Sequence, residues 1–250
     1  MTIRKLLLLT LSAFTMYACS STKFTKTGGS NPTAALTEST KTFILTPTEL
    51  PPDNSIEVGD FEHLEDWNGA WDFLMEKIQK KARESGANII KITAYFEGSK
   101  TKGHALLIRG KFYLSKASET DIEDHVKKER RKNVSNCNCS FIKVFRDEGN
   151  AALRALGKMD VVVNDSIVGP LTNKKAYSIK LTKESDVFIG TSQHSDFLVK
   201  NQFGNEYYVQ ATQVMSSPTP GTVMVGPKQF FLIESLKAKV HFETVENTYK

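Results

Sequence analysis

The sharpest candidate for chemistry in this 250-residue chain is Cys137-Asn138-Cys139. A Cys-x-Cys pair has three uses. It can close on itself as a disulfide, remain as reactive thiols, or give two soft thiolates to copper or zinc. A metal site needs further ligands, and the five histidines (His63, His104, His125, His194 and His241) show no paired spacing that would supply them. Ser192-Gln193-His194-Ser195-Asp196 contains the residue types of a hydrolytic triad. Triads are assembled from separated positions, so five consecutive residues do not make one. No phosphate-binding loop, dinucleotide fingerprint or nucleophile elbow accompanies them. The expectation is a protein that is not an enzyme, with no catalytic residues, no cofactor and no metal.

The elements that must position these residues begin with an address. Arg4 and Lys5 precede an apolar run from Leu6 to Ala18, followed at once by Cys19. This is the layout of a cleavable export signal over residues 1–18. Thirteen residues cover only about 20 Å as helix, less than the roughly 30 Å hydrocarbon core, so a permanent span is not expected. Removing Arg4 and Lys5 with the signal lowers the formal charge from +5 to +3. So small an excess, spread along the chain, argues against a nucleic-acid partner.

Met16-Tyr17-Ala18-Cys19 resembles the lipobox of bacterial lipoproteins. The resemblance implies cleavage before Cys19, acylation of its thiol, and a membrane partner reached through that lipid. Several acyl chains on one residue anchor stably, where one would bind only reversibly. Ser20 resembles the residue found at that position in outer-membrane lipoproteins, which implies an outer-membrane, lipid-anchored protein facing the periplasm. Residues 19–41 are rich in Ser, Thr, Gly and Lys and predict a lipidated, flexible tether. A tether of some 22 residues would reach roughly 25 Å on average.

Residues 42–115 predict a small sheet-plus-helix domain. Ser55 to Phe61 alternates like a strand. Trp71, Leu74, Met75, Ile78 and Ala82 then form one helical stripe, which Gly86 is suited to close. Ile89–Phe96 and Ala105–Leu114 are β-branched and aromatic runs that read as two more strands. The segment Lys81-Ala82-Arg83-Glu84-Ser85-Gly86-Ala87-Asn88-Ile89-Ile90-Lys91-Ile92, with Ile108-Arg109-Gly110-Lys111-Phe112-Tyr113, resembles small envelope lipoprotein domains. These include the Rcs-pathway stress-sensor lipoprotein and the YbjQ-like proteins. The resemblance implies a folding motif and carries no catalytic residue.

Residues 116–139 change from acidic (Glu119, Asp121, Glu123, Asp124) to basic (Lys127, Lys128, Arg130, Arg131, Lys132). That order suits a helix dipole, and the scarcity of apolar residues predicts a solvated or frayed helix serving as a charged linker. Residues 140–250 predict an antiparallel β-sandwich with strands near 141–146, 160–163, 176–181, 187–190, 206–211 and 229–234. A hairpin is expected at Asn164-Asp165, and Tyr207 and Tyr208 are expected on opposite faces of a strand, one in the core and one exposed. The stretches Val144-Phe145-Arg146, Val161–Gly169 and Gly204–Val209 resemble β-rich domains common in bacterial lipoproteins, related in layout to the PEGA module.

The fold class expected is therefore α+β. The function expected is a non-catalytic envelope lipoprotein that binds an envelope protein or a cell-wall component. The alternative is a metal- or redox-responsive sensor using Cys137 and Cys139.

Overall fold

The computed structural model describes residues 21–26, 34–66, 71–97, 106–146, 158–172, 175–191, 195–216, 224–232 and 236–248. The expected signal segment, Cys19, His104 and Ser192–His194 lie outside the described residues. The protein is α+β, and its described strands form one five-stranded and two four-stranded sheets.

The first sheet has the order β1-β3-β5-β4-β2. Its strands are β1 (Ser21–Lys26), β2 (Phe43–Leu45), β3 (Ile56–Glu65), β4 (Ile89–Glu97) and β5 (Leu106–Leu114). Helix α1 (Trp71–Glu84) lays Leu74, Met75, Ile78 and Ala82 on one face of it. Those are the residues of the stripe read from the sequence. They pack with Phe61, Ile90, Ile92, Tyr95, Ile108 and Phe112, all buried. Gly86 ends the helix at φ 78°, where a side chain would be strained. The Gly86 amide donates to the Arg83 carbonyl and the Ala87 amide to the Ala82 carbonyl, both at 2.9 Å, closing the last turn. Asn88 reaches past that turn. Its side chain accepts from the Ser115 amide and donates to the Ser115 carbonyl, each at 2.9 Å, which fixes the exit of β5.

Three parts of the sequence reading change here. First, the stretch expected as a flexible tether contains β1, which pairs antiparallel with β3 from Ser21 opposite Leu64 to Lys26 opposite Gly59. Farther along, the Leu36 amide donates to the Arg83 carbonyl at 2.9 Å, and Lys41 pairs with Glu123 at 2.6 Å. Phe24 packs against the apolar cluster beneath α1. One aromatic side chain and a full ladder of backbone bonds therefore order a stretch whose average composition is polar.

Second, the charged linker is a docked helix, α2 (Glu119–Arg131), with Ser118 capping its N-terminus through a bond from the Asp121 amide. Its two buried residues, Ile122 and Val126, are one turn apart. They pack on Phe43, Leu45, Ile89 and Tyr113 on the sheet face opposite α1. Apolar content was low, but the few apolar residues fall on a single stripe.

Third, residues 140–250 are not all strand. Helix α3 (Leu236–Thr248) closes the chain, and Ala238 to Val245 are buried without a break. The β strands before it are β6 (Ser140–Arg146), β7 (Met159–Val163), β8 (Ser166–Leu171), β9 (Ala176–Leu181), β10 (Val187–Gly190), β11 (Ser195–Val199), β12 (Glu206–Ser216) and β13 (Met224–Leu232). They form two sheets, β13-β12-β6-β9 and β11-β10-β7-β8, which share one core of Ile142, Val144, Val161, Leu171, Ile189, Tyr207 and Val209 among others. The pairing is not wholly antiparallel as expected, because β12 runs parallel to β6. The β7–β8 hairpin turns at Asn164 and Asp165, whose φ values of 46° and 62° are those such a turn requires.

Helix α3 joins the two halves. The strand β2 covers only the first part of β4, leaving the edge of β4 beyond Lys91 unpaired on that side. Helix α3 lies along this open edge, and Thr244 Oγ1 accepts from the Tyr95 amide at 3.1 Å. An exposed strand edge is a pairing hazard, and the helix removes it. Val240 faces the first core, while Ala238, Phe242 and Val245 pack with Phe145 and Tyr208 of the second half.

Candidate functional site

The polar residues gathered by α3 line an open groove of about 770 Å³ where the two halves meet. It is lined by Arg130 and Arg131 at the end of α2, by Val134 just after it, by the segment from Lys200 to Tyr208, and by Leu236 and Lys239 of α3.

The floor is fixed by a buried ionic network. Lys239 Nζ lies 3.0 Å from Glu49 Oε1 and donates to the Arg130 carbonyl at 3.2 Å. Glu206 and Glu243 stand 4.0 Å from the same ammonium. Glu49 Oε2 also accepts from the Thr46 amide at 2.9 Å. Glu206 in turn is held by Lys143 at 3.1 Å, by the Tyr208 hydroxyl at 2.7 Å and by Asn133 at 3.1 Å. Burial alone would raise the Glu206 carboxyl, but Lys143, Tyr208, Asn133 and Lys239 bring it below the usual carboxylate value. Burial and the adjacent Glu206 charge push the Tyr208 hydroxyl far up, so it stays a neutral donor. Glu243 Oε2 accepts from the Thr48 amide at 3.0 Å, while Glu243 Oε1 is buried without a hydrogen bond.

The rim differs. The side chains of Arg131 and Lys200 are exposed and line the groove, and neither has an ion-pair partner among the described residues. The loop between them is firmly seated. The Tyr207 hydroxyl accepts from the Gln202 amide at 2.9 Å and donates to the Lys200 carbonyl at 3.1 Å. The Gly204 amide donates to the Cys139 carbonyl at 2.8 Å, and the Phe141 amide to the Asn205 carbonyl at 3.1 Å. Two exposed cations beside a firmly seated loop can hold an anionic group with little rearrangement.

Of the residues singled out from the sequence, Cys137 and Cys139 border this site. They are joined as a disulfide, with Cα atoms 5.1 Å apart, in the turn between α2 and β6. A disulfide offers no thiolate to a metal. No group of three or more His, Cys, Asp or Glu placed to hold a metal ion occurs among the described residues. The described histidines are dispersed. His125 bonds the Leu50 carbonyl at 2.9 Å, and His241 is buried between the rings of Tyr95 and Phe145 at 4.9 and 5.0 Å.

His63, on β3, is fully buried beside Glu65. Its Nδ1 is 2.7 Å from Thr22 Oγ1 and its Nε2 is 3.5 Å from Glu65 Oε2, which also takes Lys77 at 2.9 Å. Burial lowers its pKa below the usual 6.5, outweighing the pull of Glu65. Ser195 and Asp196 sit on β11. Tyr207 and Tyr208 do face opposite ways, but both are buried, because α3 covers the face expected to be exposed.

Lys200, Lys239, Glu206 and Glu49 were not singled out from the sequence, and Arg131 was read only as part of a basic run. The basic run at 127–132 was the one available signal, and it resembles any solvated helix end. Comparison with known proteins finds no matching family model, no matching curated protein and no matching solved structure.

Proposed function

We propose that this chain is a non-catalytic cell-envelope lipoprotein, anchored through lipid on Cys19 and facing the periplasm from the outer membrane. Its junction groove binds an acidic segment of another envelope protein. The observation that carries the binding role is the pair of exposed cations, Arg131 and Lys200, which line the groove and have no ion-pair partner among the described residues. The anchor rests on the cationic start, the short apolar run and the Cys19 that follows it.

The expected charge complementarity makes the interaction steeply sensitive to salt. Capture of partners from crosslinked membranes by the wild type and by the Arg131→Glu/Lys200→Glu variant tests it. Loss of a specific partner with the double variant, alongside an unchanged thermal transition, is the expected result. Equal capture by both proteins refutes the groove as the binding surface, and capture of a cell-wall fragment in place of a protein changes the partner class. Fractionation with and without globomycin tests the anchor, which a soluble periplasmic protein insensitive to the drug would overturn.

A further inference from the structure

The anchor and the fold meet within two residues. Strand β1 starts at Ser21 and is paired at once with Leu64 of β3. If Cys19 carries the lipid, as proposed above, only two peptide steps separate it from an ordered strand. Two extended steps span at most about 7 Å. The domain therefore has no room to float on a tether.

The end of the sheet at which β1 begins is defined by the register. Ser21 opposes Leu64, Glu65 opposes Leu106, and Leu106 opposes Glu97, so these residues line one end of β1, β3, β5 and β4. Helix α1 starts at that same end and lies against β1, since Lys77 pairs with Glu65 at 2.9 Å and Trp71 packs 5.9 Å from Tyr95. Its first turn presents Phe73, 44% exposed, with the Lys77 ammonium 4.3 Å above its ring. An exposed aromatic ring is suited to a membrane interface, where it enters the headgroup layer, and Lys77, paired with Glu65, holds this ring in place.

We infer that this end of the five-stranded sheet, with the exposed Phe73 beside it, rests directly on the bilayer that holds Cys19. The occupant of the exposed Phe73 surface is then lipid, and the anchor fixes the orientation of the whole molecule because α3 joins the second half to the first. The inference rests on the lipoprotein reading and adds distance and orientation to it.

The test uses the full-length protein, processed in cells and reconstituted in phosphatidylethanolamine and phosphatidylglycerol vesicles containing a lipid with a shallow nitroxide quencher. Phe73→Trp, in a Trp67→Phe/Trp71→Phe background, supplies one fluorophore. Its emission is expected to shift to the blue and lose intensity as quencher lipid is added. Inserting about ten Gly and Ser residues between Ser20 and Ser21 adds roughly 17 Å on average and is expected to abolish that loss. Circular dichroism of both proteins verifies the fold, and Lys77→Cys carrying an environment-sensitive dye on the otherwise native chain gives an independent readout should the tryptophan variant fail to fold. Mass analysis of the N-terminal peptide separates the two readings. Acylated Cys19 with no quenching overturns the contact alone, whereas a peptide without acyl chains overturns the anchor and this inference together.

Discussion

Lys239 touches both halves of the molecule through charged groups, and removing its charge is the most informative perturbation of the fold. It reaches Glu49 in the loop after β2, the carbonyl of Arg130 in α2, and Glu206 at the head of β12. The Glu49 side chain is completely buried, so Lys239→Met leaves a carboxylate in the interior with only the more distant Arg130 guanidinium, at 3.9 Å, to balance it. Breaking one side of a buried pair costs about 3–5 kcal/mol. For a chain of this size that corresponds to a fall in melting temperature of roughly 6–20 °C.

Glu49→Gln in the same background removes the stranded charge. The double variant should therefore be more stable than the sum of the single losses, by a coupling on the order of 0.5–3 kcal/mol. Urea unfolding of the unacylated chain measures all four proteins. Both tryptophans, Trp67 and Trp71, lie in the first half, so their fluorescence reports that half while far-ultraviolet circular dichroism reports the whole. In the wild type the two curves should coincide, and in Lys239→Met they should separate as the halves uncouple. A loss below about 0.5 kcal/mol, or strict additivity of the two substitutions, would refute the view that this network joins the halves.

Other outcomes follow from the same geometry. Ile122→Ala removes the better buried of the two side chains holding α2 to the sheet and should cost about 2–5 kcal/mol by urea denaturation, although α2 is mostly charged. A loss within the range of surface substitutions would show α2 to be peripheral. Gly59→Ala places a methyl against the Thr25 carbonyl and the Phe24 ring, so it should loosen β1 at a cost of about 1–3 kcal/mol. Amide exchange across β1 is the readout, and unchanged protection there would contradict the β1–β3 pairing. The lowered pKa of His63 means that the unfolded chain takes up that proton before the folded one does. Its contribution is fully present above about pH 6.5 and is lost as pH falls from there through the lower folded value. Urea midpoints at pH 7.5 and 5.5 should show this loss, and His63→Gln should flatten it. Glu97 and Glu206, whose pKa values are lowered despite burial, lose their contributions only in more acid solution.

The elements legible in the sequence are those whose pattern is local. Helix α1 was visible because its stripe and its Gly86 stop signal lie within sixteen residues, and the β7–β8 hairpin because Asn164 and Asp165 are suited to positive φ. Strand β1 was hidden by the polar composition around it, since one Phe24 on a paired edge is enough to order it. Helix α2 was read as solvated because Ile122 and Val126 are only two apolar residues, yet they meet a prepared surface on β2, β4 and β5. Helix α3 has no stripe to detect, because one side of it faces β4 and the other faces β6 and β12.

The sequence by itself determined the α+β class, the run of strands and the short apolar N-terminus ending at Cys19, because each depends on residue type and near neighbours. Only the tertiary structure decided that the two halves are one unit. It joined Cys137 to Cys139 and brought Arg131 and Lys200 to one groove, and it placed an ordered strand two residues after Cys19. Each of these depends on which residues meet across long separations in the chain, and charge and periodicity along a chain do not contain that information until the core has folded around α3.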